Sequence, residues 1–137
     1  MIKYSTKIIN LKPEQLNGFF VNWPNPPSPI KHLEILKNSY KCILAMDGNR
    51  VIGFVNAISD GVLSVYIPLL EVLPTYQNRG IGKNLMELIL VELKDYYMID
   101  LACDEDKIKF YEKLGMQKFT AMGIRNYNRQ NGEKYEK

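Results

Sequence analysis

Val72-Leu73-Pro74-Thr75-Tyr76-Gln77-Asn78-Arg79-Gly80-Ile81-Gly82-Lys83 carries the reading of this chain. An apolar run ends in proline, two closely spaced glycines follow, and a helical pattern begins, which is the layout of a strand, a loop and a helix N-terminus. Glycine lets the backbone approach an anion closely, and the first turn of the helix presents N–H groups that have no partner inside the helix. Such a loop suits a phosphorylated ligand. From spacing alone it is equally a packing turn.

On the C-terminal side, Ile81, Leu85, Leu88, Ile89 and Leu93 recur at helical spacing, which predicts a helix over 81–93 with one face on a sheet. Residues 96–103 are nearly continuous in hydrophobicity apart from Asp100 and read as a strand central to the sheet. A strand, a helix and a strand in succession predict a parallel, right-handed crossover. Residues 104–114 read as a short helix stopped by Gly115, residues 116–124 as a last strand, and 125–137 as a polar edge fading into a tail.

Towards the N-terminus, turns at Asp47-Gly48-Asn49 and Ser59-Asp60-Gly61 separate β-rich runs over 40–46, 50–57 and 62–73, an antiparallel meander. Residues 1–9 read as a first strand and 13–20 as a helix opened by Pro13. Asn22-Trp23-Pro24-Asn25-Pro26-Pro27 sustains neither helix nor central strand, and reads as a semi-rigid loop with an exposed or half-buried indole. Ser28 then caps a helix begun by Pro29, with Ile30, Leu33 and Leu36 along one side. His32, the only histidine, reads as a surface or boundary residue.

The 137 residues suit one domain, and 46% apolar with 24% charged residues is the composition of a soluble globular protein. No apolar run approaches the ~18 residues that span a bilayer, and the first residues lack a signal-peptide core, so a cytoplasmic protein without membrane contact is expected. A net charge of +3 with acids and bases interspersed gives no nucleic-acid footprint. Cys42 and Cys103 each sit in an apolar strand-like segment, which favours buried reduced thiols over a disulfide and gives no metal site.

About thirty residues beyond the glycine loop comes Phe110-Tyr111-Glu112-Lys113-Leu114-Gly115-Met116. Together, Gln77-Asn78-Arg79-Gly80-Ile81-Gly82 after Val72-Leu73-Pro74 and this second segment resemble the GNAT family of N-acetyltransferases, over residues 51–119. The resemblance implies an α/β single domain over 1–124 with the polar edge or tail 125–137. Its sheet is mixed, mostly antiparallel and twisted, with roughly six to seven strands flanked by about four helices and a parallel splayed pair at the cofactor site. It implies acyl transfer from acetyl-CoA, as co-substrate, to a small-molecule or peptide amine acceptor, with no metal.

The same resemblance makes Gln77, Asn78, Arg79, Gly80, Ile81, Gly82 and Lys83 the pyrophosphate end of the cofactor site, which the amides of Asn78 to Lys83 can supply with donors and Arg79 and Lys83 with positive potential. It assigns the pantetheine amides to free backbone groups of Leu70, Glu71 and Val72, with Pro68 as a local cause of the strand disruption. Tyr111 matches the tyrosine that protonates the departing thiolate, although periodicity alone makes it a core aromatic. A protonated alkylamine acceptor also needs a proton acceptor. Glu71, an acid within an apolar strand, is the first candidate and Asp100 the second, and either suits a structural ion pair as well. Where many family members carry asparagine seven residues before the tyrosine, this chain has Asp104, read here with Glu105 and Asp106 as a helix cap and first turn. The loop also permits a non-catalytic CoA-thioester sensor or scaffold. A homodimer through sheet edges is an open expectation, and the Trp23 loop is a candidate frame for the acceptor.

Overall fold

Five strands, β1 (Ile2–Ser5), β2 (Lys41–Asp47), β3 (Arg50–Ser59), β4 (Ser64–Val72) and β5 (Met98–Asp100), stand side by side in chain order. The first four run antiparallel and β5 runs parallel to β4. Three helices accompany them: α1 (Pro29–Lys37), α2 (Ile81–Glu92) and α3 (Ile108–Glu112). The computed structural model describes residues 1–134, so the last part of the expected tail, 135–137, lies outside the described residues. The meander and the crossover thus follow the sequence pattern. Gly48 at φ 61° and Gly61 at φ 78° take the left-handed conformation that the two connections demand. Ser28 caps α1 by accepting from the Lys31 N–H at 3.2 Å.

The core lies between the sheet and the helices. Leu85, Met86 and Ile89, with Leu93 just past the helix end, bring α2 against Val51, Ile52, Phe54 and Val55 with almost no exposure. At about 1.5–3 kcal/mol for each side chain taken out of water, these contacts pin α2, and with it the helix N-terminus that follows the glycine loop. Leu88, expected on this face, is 39% exposed, and Met86 takes its place.

Among the described residues the sheet has five strands, not six to seven, and there are three α-helices beside short 3-10 turns. Residues 116–124 form no strand: Phe119, Met122 and Ile124 are 73–99% exposed, and a short edge strand offers too little ladder to recruit them. β5 is likewise an edge rather than the centre. Its apolar run includes Tyr97, which is 83% exposed, and continues into Leu101, which has left the ladder. Leaving the sheet also exposes Cys103, whereas Cys42 is buried as expected. The helix expected over 13–20 is a single 3-10 turn, Pro13–Leu16, and the strand expected over 1–9 ends at Ser5. The helix expected over 104–114 splits into a 3-10 turn at Glu105–Lys107 and α3.

His32 is the largest departure. It is 1% exposed, with its ring 5.2 Å from Phe19, 5.0 Å from Phe20 and 4.3 Å from Phe54. The aromatic pocket is assembled from segments remote in sequence, so helical periodicity could not reveal it. Neither ring nitrogen has a hydrogen-bond partner among the described residues, and burial pushes the imidazole pKa down to about 4. Ile30, expected along the packed side of α1, is 68% exposed.

Candidate active site

The parallel ladder between β4 and β5 stops at Tyr66 opposite Asp100. Two residues on, β4 carries Pro68, and there it holds one residue more than β3: three steps from Tyr66 to Leu69 face two from Ile58 to Asn56. A bulge bends the strand and a proline has no N–H to donate, so pairing with β5 cannot continue. The strands part into a cleft of about 820 Å³, walled by 67–72 on one side and 101–104 on the other.

Backbone alternation then decides which β4 groups face the cleft. The Leu73 N–H donates to the Ile52 carbonyl of β3 at 2.8 Å, whereas the Val72 carbonyl accepts from the Gln77 side chain at 3.0 Å. By the two-residue period of a strand, Leu70 and Val72 turn their backbone groups to the cleft and Glu71 turns its own to β3. Of the three residues expected to offer backbone, two are suitably directed, and Glu71 contributes its side chain instead.

One end of the cleft is the glycine loop. A 3-10 turn, Pro74–Tyr76, leads to Asn78 at φ 64° and Gly80 at φ 78°, and α2 starts at Ile81. The first helical backbone bond is Asn84 N–H to the Gly80 carbonyl at 3.0 Å, which leaves the amides of Ile81, Gly82 and Lys83 without an intrahelical acceptor. Left-handed residues followed by free N–H groups form a concave anion nest at the positive end of a helix. A methyl at Gly82 would meet Phe110 at 3.8 Å, so the backbone there is held close to the opposite wall. Gln77, Asn78, Gly80, Ile81, Gly82 and Lys83 line the cleft. Arg79 does not: its guanidinium lies 5.2 Å from the Tyr76 ring centre and donates to the Thr75 carbonyl at 3.2 Å. Tyr76 in turn donates to Asp47, which ties the loop to the β2–β3 hairpin. Ile81 is 4% exposed, so its side chain belongs to the core and only its backbone can serve a ligand.

Tyr111 projects from α3 into the far wall, with its ring against Phe110 at 4.9 Å. Burial, with a smaller contribution from Cys103, pushes its phenol up to about 12, and its hydroxyl has no hydrogen-bond partner among the described residues. A phenol held protonated can donate a hydrogen bond to a group in the cleft. Asp104, on the same wall, is the N-terminal residue of the Glu105–Lys107 turn, but its side chain makes no capping bond.

Glu71 lies on the opposite wall, half-buried. Its Oε1 accepts from the Phe20 N–H at 2.9 Å, and its Oε2 accepts from Phe20 at 3.0 Å and Val21 at 3.3 Å. Burial raises its pKa and these amides oppose that rise. Asp100 sits apart from Glu71, exposed, on a neighbouring groove behind β5 that Tyr111 also lines. Val21, Asn22 and Trp23 complete the wall beside Glu71. Cys103, Lys107 and Arg125 also line the cleft and were missed. Arg125 comes from the stretch read as a polar tail, whose Gln130 accepts from the Asn25 N–H at 2.9 Å and whose Glu133 lies 3.8 Å from Lys31. No local pattern marks such a return. Among the described residues no group of three or more histidine, cysteine or acidic side chains could hold a metal, and no helix is long and apolar enough to cross a membrane.

Comparison with known proteins agrees with this geometry. A family model for the acetyltransferase (GNAT) family matches residues 8–116. The chain is 32% identical over 121 residues to an uncharacterized N-acetyltransferase, ycf52, of Porphyra purpurea, covering 83% of this chain and 68% of the relative. It is 35% identical over 112 residues to a histone acetyltransferase of Glycine max, covering 71% of this chain and spanning only 47% of that longer protein. Among solved structures, a candidate acetyltransferase from Deinococcus radiodurans R1 superposes with a TM-score of 0.94 at 45% identity, covering 98% of this chain and 94% of that one. A GNAT family protein of Streptococcus pneumoniae TIGR4 gives 0.76 at 32% identity, covering 92% and 98%.

Proposed function

The chain belongs to the acetyltransferase (GNAT) family, and from that premise we propose that it moves an acetyl group from acetyl-CoA to an amine acceptor by direct attack in a ternary complex. The observation that carries this reading is the parting of β4 and β5 beyond Tyr66 into a cleft that ends on the free amides of α2 and has the Tyr111 phenol on its wall. The donor set suits the co-substrate. Unpartnered N–H groups at a helix N-terminus suit a diphosphate, and outward backbone groups of Leu70 and Val72 suit an amide-bearing arm that lies along them like a strand.

Acetyl-CoA supplies an activated thioester. The chain's own residues do the rest. The Val72 N–H, directed into the cleft, is the donor for negative charge developing on a carbonyl oxygen, and it sits in the strand wall where water is partly excluded. Tyr111, protonated at every pH near neutrality, can give its proton to the departing sulfur. Two acids can take the amine's proton: Glu71 from within the cleft, and Asp100 from the adjoining groove through water. Alignment of amine and thioester along one wall supplies the gain from proximity.

The test is release of free thiol from acetyl-CoA by the purified chain across a panel of small amines, amino acids and peptides, with the acetylated product identified by mass. At least one amine is expected to be turned over, and Tyr111→Phe to slow that turnover. Acetyl-CoA binding with no thiol released from any amine would refute catalysis and leave a binding module.

A further inference from the structure

Residues 18–23 make an uncommon turn. Gly18 at φ 93°, Phe20 at φ 62° and Asn22 at φ 67° all take the left-handed region within five positions. For a bulky residue such as Phe20 that conformation is strained, and it persists only where surroundings over-determine it. Two things do so here. The Phe20 ring is 3% exposed, wedged against His32 and Trp23, and the Phe20 and Val21 N–H groups converge on one carboxylate, that of Glu71 across the cleft wall. Alternating backbone conformations that turn successive N–H groups to one side make an anion nest, and Glu71 fills it.

An ionised carboxylate offers about four acceptor sites, and the three contacts to Phe20 and Val21 occupy most of them. The turn they fix carries Val21, Asn22 and Trp23 along the cleft. Its far end is tied independently, by the Asn25 N–H to the Gln130 side chain at 2.9 Å. Trp23 itself is half-buried, with its ring 4.8 Å from the Phe20 ring and its backbone N–H donating to the Phe20 carbonyl at 3.2 Å.

We propose that Glu71 is a positioning residue: its carboxylate holds the strained turn over residues 18–23 so that Val21, Asn22 and Trp23 form the acceptor-side wall, and the fit of the amine depends on it. This rests on the acetyl-transfer reading, and goes beyond it by giving Glu71 a task separate from proton acceptance. The acceptors favoured are amines whose carbon stem can lie against the indole.

Trp23 is the only tryptophan, so its emission reports the turn directly, without any acceptor. Acrylamide quenching of Trp23 would be measured on the full chain as wild type, Glu71→Gln, Glu71→Ala and Gln130→Ala, each checked for folding by circular dichroism and for acetyl-CoA affinity by calorimetry. The expected order of quenching is wild type, then Gln130→Ala and Glu71→Gln, then Glu71→Ala at about twofold or more. Gln is intermediate because one oxygen remains to accept. Acetyl-CoA affinity should stay within about threefold, since its predicted contacts are the glycine loop and β4 backbone. For the amine turned over fastest in the panel, KM should rise by about tenfold in Glu71→Ala, and in the same direction in Gln130→Ala, which removes no acid. Unchanged Trp23 quenching in a folded Glu71→Ala chain would overturn the proposal. So would equal losses of kcat in Glu71→Gln and Glu71→Ala with KM unmoved and Gln130→Ala silent, the signature of a proton acceptor alone. If no amine is turned over, the family-based reading fails while the quenching series still decides the role of Glu71.

Discussion

Lowering the pH should unlock the aromatic pocket that backs the acceptor wall, and His32 sets the size of the effect. Its imidazole packs edge-on to Phe19 and Phe20 and tilted against Phe54, with both nitrogens unpartnered among the described residues and a pKa pushed down to about 4 from an ordinary 6.5. The cause is burial alone. The unfolded chain therefore binds a proton that the folded chain refuses between these two values. Stability attributable to this group is constant above pH 6.5, falls as pH drops below it, and levels off below about 4. At 1.36 kcal/mol per pH unit the loss is about 2 kcal/mol between pH 6.5 and 5, and about 3 kcal/mol in full. In a domain stable by roughly 5–15 kcal/mol that is a large fraction.

Urea unfolding followed by circular dichroism at pH 7 and pH 5 would measure it, on wild type and His32→Leu. With a slope of roughly 1–2 kcal/mol per molar, the wild-type midpoint should fall by about 1 M or more beyond any fall in the variant. At pH 7 His32→Leu should be within about 1 kcal/mol of wild type or more stable, since it removes two buried polar atoms that have no partner among the described residues. Other acids titrate in the same range in both proteins, so the difference isolates His32. Parallel losses in the two proteins would refute the reasoning.

Tyr111→Phe should lower kcat by about 10²-fold with acetyl-CoA affinity little changed. Because the phenol stays protonated to about pH 12, the same substitution should leave the shape of the pH–rate profile below pH 10 unaltered; a basic limb that vanishes in the variant would contradict this. Gly80→Ala meets no atom within 4 Å but must adopt φ 78°, so it should cost about 1–2 kcal/mol in urea unfolding and weaken acetyl-CoA binding; a neutral result on both would count against the nest. Ile124→Ser and Phe119→Ser should each change stability by less than about 0.5 kcal/mol, because both side chains are largely in water. A loss above about 2 kcal/mol would mean that the segment packs as the expected sixth strand after all.

The parts of this fold that could be read in the sequence are those set by local chemistry. Gly48 and Gly61 mark the hairpins, Ser28 and Pro29 open α1, and Pro68 marks where β4 must leave its neighbour. The glycine loop was legible for the same reason, since left-handed backbone and a helix start depend on adjacent residues. What the sequence hid was long-range. The burial of His32 depends on Phe54 in β3, the hold on Phe20 depends on Glu71 fifty-one residues away, and Arg125 reaches the cleft only because the chain turns back towards Asn25. The strand expected over 116–124 had the composition of a strand but no ladder to join, and β5 looked central because apolar residues facing a cleft and apolar residues facing a core are alike in sequence. Glu71 stands out in the sequence as an acid in an apolar strand; its partners could be found only in three dimensions.

The central claim is that the parting of β4 and β5 forms a site for acetyl-CoA, and titration calorimetry of the purified chain with acetyl-CoA tests it most directly. The account predicts saturable binding at one site per chain, weakened about tenfold or more when Gly82→Val thrusts a branched side chain towards Phe110 and Val72 in a chain that stays folded. Absence of binding to the folded wild-type chain, or affinity that Gly82→Val leaves untouched, would contradict it.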